Sequence, residues 1–368
     1  MFFPVGFTGE NNTLDVGWLP DPAPPDEETA THKRGLGRTV KLYLYKKAMW
    51  TEPRLGLNFA RFVPASEVDG TPPGADETVC KVETGEVRYT PFKQPATRPG
   101  ERVLLFVHGF NSDSAWMVGG PLQFLQGQDA PYDHVLTFDY ESFNTPIAEN
   151  GGKLAVALKQ VGFGPDDGVK LDVVAHSMGT LVTRSMVEMH GGDAFVDRCL
   201  LAGPPNAGTP LAAARTLIPW LGTILLNAVG PSPPASILGG VLKKAGSDAV
   251  GPGDLNPSSE FLKTLNDASS EVHVPYTVLA GRNEMPAADQ GAWKRLASKL
   301  SRGLDSVLDV VFQGDNDLVI GMQSMKTIRN GTYPTDLLDV VVVPNDHFGY
   351  FGNETSQNAV RDWLRGRA

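Results

Sequence analysis

Cysteine is scarce in this chain, which carries only Cys80 and Cys199 among its 368 residues. The two positions are far apart, and Cys199 stands in an apolar stretch typical of a buried strand, so we interpret it as a core thiol. Two such residues cannot supply the framework of bridges that holds small secreted domains together. Stability must therefore come from an apolar core, for which the hydrophobic content of 41% is sufficient.

The sequence also lacks long runs of lysine or arginine, and its formal net charge is -10. This charge disfavours nucleic acids and anionic membranes held by electrostatic attraction, so we expect neither as a partner. His, Asp and Glu do not occur at spacings typical of metal ligands. We therefore expect no metal centre and no cofactor, with a calcium ion on a surface loop left open.

The first seven residues have neither the basic start nor the apolar length of a signal peptide. We expect a cytoplasmic protein, with secretion left open. Residues 211–229 are apolar and long enough for a transmembrane helix, but Pro219 and Gly222 interrupt them, so we expect no transmembrane segment.

A second apolar piece at residues 237–242 follows the run at 211–229. Two apolar helical pieces that interrupt a strand–helix alternation are typical of a helical cap. We predict this cap at about residues 204–267, with an inner face that lines an acyl pocket. Contact with a lipid interface through the cap is left open. Additional core helices are the alternative interpretation.

From residue 101 onward, strands and helices alternate regularly. Apolar runs predict strands at residues 102–107, 134–138, 169–175, 198–202, 274–280, 308–312 and 338–343. Helical patterns follow several of these strands, at residues 114–125 (broken), 146–161, 181–187, 293–307 and 354–365. The alternation predicts an α/β fold, with a mainly parallel sheet covered by helices on both faces.

Residues 1–100 differ from the rest. Alternation at residues 40–44 predicts a half-buried strand, and residues 79–89 show a hairpin pattern. We predict a β-rich N-terminal extension or small accessory domain at residues 1–100, followed by a catalytic domain at residues 101–368.

The segment AHSMG, residues 175–179, follows one predicted strand and precedes a helical run. Small residues, Ala175 and Gly179, flank Ser177, as a sharp turn from strand to helix requires. Such a turn lifts the hydroxyl above the sheet edge and points the first helical N–H groups at the same place. Ser177 is therefore the candidate nucleophile, although an ordinary serine in a turn would match this short pattern equally well.

A serine hydroxyl needs a base to take its proton, and the base needs an anion to hold its tautomer. Among the seven histidines, His347 follows the last predicted strand, in a loop that can reach back over the sheet. We predict His347 as the base. His176 is adjacent to Ser177 in sequence, but on the turn it should point away from the pocket.

In a fold of this kind the acid lies between the serine and the histidine in chain order. Asp317 is the favoured candidate, because the aliphatic residues 318–320 would anchor its loop. Asp315 is the second choice and Glu284 the third. Either aspartate would otherwise be interpreted as a turn-stabilising side chain.

A tetrahedral oxyanion requires two N–H donors. We predict one from Met178, which follows the candidate nucleophile, and one from Phe110, in the loop after the strand at residues 102–107. Gly109 permits the tight turn that this loop needs, although a plain glycine turn would look the same in sequence.

Five short motifs belong together: HGF at 108–110, AHSMG at 175–179, GTP at 208–210, GDNDLV at 314–319 and DHF at 346–348. The set resembles the serine lipases and esterases of the α/β-hydrolase superfamily, above all the capped lipase-like group that includes inositol deacylase-like proteins. Residues 254–266 are similar to a cap segment of those lipases. The resemblance covers about residues 100–366 and implies an α/β-hydrolase fold. Ala175 departs from the commoner glycine, a change that also occurs in lipases.

The predicted function is a carboxylic ester hydrolase of esterase or lipase type, acting through an acyl-enzyme at Ser177. The expected substrate is a small-molecule, lipid or polymer-like ester. The alternatives are an acyltransferase or amidase with the same residues, and a non-catalytic interaction protein that retains the fold. The sequence predicts no oligomeric state.

Overall fold

The computed structural model describes residues 55–70, 72–82, 84–93, 98–110, 112–125, 131–165, 168–213, 250–267, 271–283 and 315–366. Several predictions lie outside the described residues: the strand at 40–44, the apolar cap pieces between 214 and 249, Glu284, the helix at 293–307 and the strand at 308–312.

The described strands form a single mixed sheet. They are β1 (Gly56–Pro64), β2 (Thr78–Val82), β3 (Gly85–Pro91), β4 (Arg102–Val107), β5 (His134–Asp139), β6 (Lys170–His176), β7 (Val196–Ala202), β8 (Tyr276–Gly281) and β9 (Leu338–Val343). Their order across the sheet is β2-β3-β1-β5-β4-β6-β7-β8-β9. Strands β4 to β9 are parallel to one another, whereas β1 pairs antiparallel with β3 and β5.

Helices cover both faces of this sheet. They are α1 (Ser114–Val118), α2 (Ile147–Gln160), α3 (Met178–Met189), α4 (Pro210–Ala213), α5 (Val250–Asp254), α6 (Glu260–Asn266), α7 (Met322–Lys326) and α8 (Glu354–Leu364). Short 3-10 turns lie at Ala65–Glu67, Pro121–Phe124, Gly192–Ala194 and Arg329–Gly331.

The side chains of the central strands divide between two apolar cores. On β4, Val103, Leu105 and Val107 pack into one core, together with residues of α2 and α3. Leu104 and Phe106 point to the other face, where they join residues of α1 and α8. Because both faces are buried, these strands consist of continuous apolar runs, as the sequence pattern predicted.

The chain reverses its direction of travel across the sheet at β4. It passes from β4 to β5 on one side and returns through α2 to β6 on the other. The loops that leave β4 and β6 therefore diverge, and a crevice opens between the carboxyl ends of these strands. This position holds both the loop at residues 108–110 and the turn at Ser177.

The described part of the first hundred residues is β-rich. The predicted hairpin is confirmed, since β2 and β3 pair up to Val82 opposite Gly85. Strand β1 was not predicted, and it joins this hairpin to β5, so the sheet continues across residue 100. Whether residues 1–54 form a unit of their own stays a prediction.

This topology is the α/β-hydrolase fold that the sequence predicted: a parallel sheet with an antiparallel edge, helices on both faces and a strand–serine–helix turn at the switch point. Within the described ranges, no helix has the length and hydropathy needed to cross a membrane.

A buried charged network joins α3 to the elements around it. Arg184 Nε donates to Glu188 Oε1 at 2.7 Å, and both side chains are fully buried. Arg329 Nε donates to Glu188 Oε2 at 2.8 Å, and the Tyr276 hydroxyl donates to Oε1 at 3.1 Å. Glu188 thus serves two guanidinium groups and fixes α3 against β8 and the chain before β9.

Replacing Glu188 by alanine should destabilise the protein by about 3–5 kcal/mol, because two buried guanidinium groups lose their carboxylate. The measurement is the free energy of unfolding from urea denaturation. Glu149→Ala is the matched control, since Glu149 pairs with Lys153 at 2.8 Å on a half-exposed surface, where such a pair contributes about 0–1 kcal/mol. Equal losses in the two variants would contradict this account.

Candidate active site

Ser177 occupies the sharp turn between β6 and α3. Its backbone has φ 51° and ψ -125°, a conformation that L-residues rarely adopt. The turn is held on both sides, because Ser177 N donates to Ala202 O at 2.9 Å and the Thr180 hydroxyl donates to Ser177 O at 2.6 Å. The residue is 8% exposed, and its hydroxyl lies at the switch point of the sheet.

Two glycines let the backbone of the β4 loop approach this turn. A Cβ at Gly179 would overlap the carbonyl oxygens of Val107 and His108. A Cβ at Gly109 would lie 3.0 Å from Ser177 Cβ and 2.9 Å from His176 Nδ1. The small residue that the motif requires at position 179 is therefore explained by contact with β4, as well as by the turn itself.

His347 reaches Ser177 from the loop that follows β9. Its Nε2 lies 2.8 Å from Ser177 Oγ, and its Nδ1 lies 2.7 Å from Asp317 Oδ2. A carboxylate only accepts, so Nδ1 carries the proton and Nε2 is free to accept from the serine hydroxyl. The ring is 2% exposed, which leaves it almost no contact with bulk water.

Asp317 is completely buried. Its Oδ1 accepts from Val319 N at 3.1 Å and from Ile320 N at 2.7 Å, and its backbone oxygen accepts from His347 N at 2.8 Å. Leu318, Val319 and Ile320 are 0–4% exposed, so these aliphatic side chains anchor the loop in the core. The structure thus brings together three of the residues that the sequence singled out.

The alternative acids are placed differently. Asp315 has an exposed side chain, and its Oδ2 accepts from Arg282 Nη2 at 3.0 Å. Glu284 lies outside the described residues. In the described part of the chain, no group of three or more His, Cys, Asp or Glu side chains is arranged to hold a metal ion.

His108 braces the loop that carries Gly109 and Phe110. Its Nε2 accepts from Tyr140 N at 3.1 Å, so the proton is on Nδ1, which donates to Gly109 O at 2.8 Å. The Tyr140 hydroxyl donates to His108 O at 2.7 Å, and the two rings stack with centroids 4.3 Å apart. Phe110 is partly exposed beside this braced loop, and Met178 is the first, fully buried residue of α3.

His176 contacts the backbone of His347, whereas the base of this site would contact the Ser177 hydroxyl. Burial and the neighbouring His347 ring lower the pKa of His176, so its ring is neutral. Its Nε2 donates to the His347 backbone oxygen at 2.9 Å. The residue next to Ser177 therefore holds the loop of His347, while His347 itself contacts the hydroxyl.

Tyr350 belongs to this site and was not identified from the sequence. Its hydroxyl donates to Asp317 Oδ2 at 2.9 Å and accepts from Gly281 N at 2.8 Å. The side chain is fully buried. A tyrosine three residues after His347 is the only sequence signal, and an apolar core position produces the same pattern.

No curated protein matches the chain. The solved structure of the mature lipase BlEst2 from Bacillus licheniformis is similar at 18% identity, covering 74% of this chain and 96% of that one, with a TM-score of 0.48. EstA from Clostridium botulinum has 14% identity, 83% and 94% coverage and a TM-score of 0.47.

Carboxylesterase CesB from Bacillus subtilis is similar at 13% identity, with 89% and 99% coverage and a TM-score of 0.40. At these identities the similarity concerns the fold alone. The family described as "Domain of unknown function (DUF7379)" matches residues 79–365, which is most of the chain. The protein therefore belongs to the DUF7379 family.

Proposed function

We propose that this protein is a serine hydrolase that cleaves carboxylic esters through an acyl-enzyme intermediate. Ser177 is the nucleophile, His347 the base and Asp317 the anion that orients it. The observation that carries the proposal is the continuous chain from Ser177 Oγ to His347 Nε2 at 2.8 Å and from His347 Nδ1 to Asp317 Oδ2 at 2.7 Å.

The direction of proton transfer follows from these hydrogen bonds. As Ser177 Oγ attacks the ester carbonyl, His347 Nε2 takes the hydroxyl proton, and Asp317 stabilises the imidazolium that results. The same Nε2 then protonates the leaving alcohol, which breaks the ester bond and leaves the acyl group on Ser177. Water repeats the sequence, with His347 again as base, and releases the acid.

The oxyanion that forms in both steps would be held by the N–H groups of Phe110 and Met178. Met178 is the first residue of α3, so its N–H has no partner within the helix. Phe110 follows Gly109, whose close contact with Ser177 brings this loop to the reacting carbon. His108 keeps the loop in place through its bond to Gly109 O.

An apolar acyl group is the substrate feature that the surroundings support. The Phe110 ring lies beside Phe143, with centroids 4.6 Å apart. Gly251 N on α5 donates to Phe143 O at 3.0 Å, so the start of α5 lies next to this aromatic pair. We propose that the cap at about residues 204–267 covers the pair and forms the acyl pocket.

Replacing Ser177 by alanine should lower hydrolysis of a p-nitrophenyl ester by at least about 10⁴-fold, because the attacking oxygen is lost. Labelling by a fluorophosphonate probe should disappear as well. Ser66→Ala is the control, since this serine is exposed in the 3-10 turn at Ala65–Glu67, outside the proposed site. Turnover that survives in a highly purified Ser177→Ala preparation would exclude Ser177 as the nucleophile.

Replacing Gly109 by alanine should lower kcat about 100-fold, the effect of losing one oxyanion donor, because the new Cβ must push the loop away from Ser177. KM should change much less, since the effect concerns the transition state. Gly164→Ala is the matched control: a Cβ there meets nothing within 4 Å, and the residue lies outside the proposed site. Steady-state kinetics with a soluble ester measure both variants, and equal kcat values would argue against the proposed oxyanion position.

A further inference from the structure

We propose that Tyr350 is a positioning residue of this site, which holds the Asp317 carboxylate in the orientation that His347 requires. This inference rests on the function proposed for Ser177, His347 and Asp317. Its basis is the hydrogen bond of 2.9 Å from the Tyr350 hydroxyl to Asp317 Oδ2, the same oxygen that His347 Nδ1 contacts at 2.7 Å.

The direction of this hydrogen bond is determined by a second one. Gly281 N can only donate, and it lies 2.8 Å from the Tyr350 hydroxyl oxygen. The hydroxyl proton is then left with two acceptors, Asp317 Oδ2 at 2.9 Å and Met325 Sδ at 3.6 Å. It points to Asp317, because a carboxylate oxygen at the shorter distance is a much stronger acceptor than a thioether sulfur. Burial, and secondarily the charge of Asp317, raise the pKa of Tyr350, so the phenol keeps this proton across the working range of pH.

The ends of two neighbouring strands leave room for this contact. Gly203 follows β7 with φ +57°, and a Cβ there would lie 2.8 Å from Tyr350 Cε2 and 3.1 Å from Asp317 Oδ2. Gly281 ends β8, and a Cβ there would lie 2.6 Å from the Tyr350 hydroxyl oxygen and 2.9 Å from Asp317 Cβ. Any larger residue at either position would displace the tyrosine or the carboxylate.

Two donors on one carboxylate oxygen share its charge. The Tyr350 proton weakens the pull of Oδ2 on the His347 proton and fixes the plane of the carboxylate. Without it, the charged imidazolium should be favoured and the ring less well oriented. Two further ionisable groups of the described chain face Tyr350: His176, whose neutral ring lies 5.8 Å from the Tyr350 ring, and Asp346, whose charge also acts on Tyr350.

The test compares Tyr350→Phe with wild type and with Tyr333→Phe. Tyr333 is the matched control, because its buried hydroxyl donates to Val274 O at 2.6 Å and makes no contact with Asp317. For Tyr350→Phe we expect kcat to fall about tenfold, as when a hydrogen bond to a charged group is lost, with KM nearly unchanged. The acid limb of the kcat/KM profile should move to higher pH.

Proton NMR gives a readout that does not depend on turnover. The resonance of the proton between His347 and Asp317 should move downfield in Tyr350→Phe and stay in place in Tyr333→Phe. If Tyr350→Phe does not fold, fluorination of Tyr350 at ring position 3 provides a second test, because it keeps the ring in place and makes the hydroxyl a stronger donor to Asp317. The proton resonance should then move upfield, and the acid limb of the kcat/KM profile should move to lower pH. An unmoved resonance and acid limb in the altered Tyr350 protein would overturn the proposal.

The role of Tyr350 and the role of Ser177 as nucleophile can fail independently of each other. Turnover that survives Ser177→Ala would disprove the nucleophile while leaving the NMR shift of Tyr350→Phe intact. Conversely, loss of turnover in Ser177→Ala, with no shift in Tyr350→Phe, would leave the nucleophile supported and remove Tyr350 from the mechanism.

Discussion

The buried charge of Asp317 is the constraint on which the geometry of the site depends. A carboxylate with no access to water requires donors on both oxygens, since an unpaired buried charge costs several kcal/mol. Two backbone N–H groups, two and three residues further along the chain, serve Oδ1, and His347 and Tyr350 serve Oδ2. To aim those N–H groups inward, Leu318 adopts φ 76°. A single charge therefore explains a strained loop, the orientation of His347 and the burial of a tyrosine.

The second constraint is the close approach of the β4 loop to the serine turn. Parallel strands β4 and β6 are neighbours, and the chain leaves them in opposite directions, so their loops would otherwise diverge. Gly109 and Gly179 remove the side chains that would hold the loops apart. His108 then locks the β4 loop through a tautomer imposed by Tyr140 N. The fold opens the crevice, and these contacts bring its two loops together at Ser177.

The central strands and the side chains of Ser177, Asp317 and His347 could be predicted from the sequence, because short stretches of the chain carry their patterns. Continuous apolar runs predict strands that are buried on both faces, and Asp317 and His347 follow Ser177 in the chain order of this fold. Strand β1 was missed, because its polarity is irregular and it becomes a strand by pairing with β3 and β5. Tyr350 was missed for a related reason: its role depends on Gly281, 69 residues away in the chain.

Helix α3 shows how the strain at the serine is offset. A residue such as Ser177, with φ 51°, costs about 1–3 kcal/mol and persists only where its surroundings over-determine it. Two hydrogen bonds of the turn help to hold this conformation: Ser177 N donates to Ala202 O, and the Thr180 hydroxyl donates to Ser177 O. Further support comes from the opposite half of the helix, where Arg184 and Glu188 tie α3 to Arg329 in the core. These ion pairs fix the position of α3 relative to its neighbours, and the helix in turn holds Ser177 at the turn where its hydroxyl meets His347.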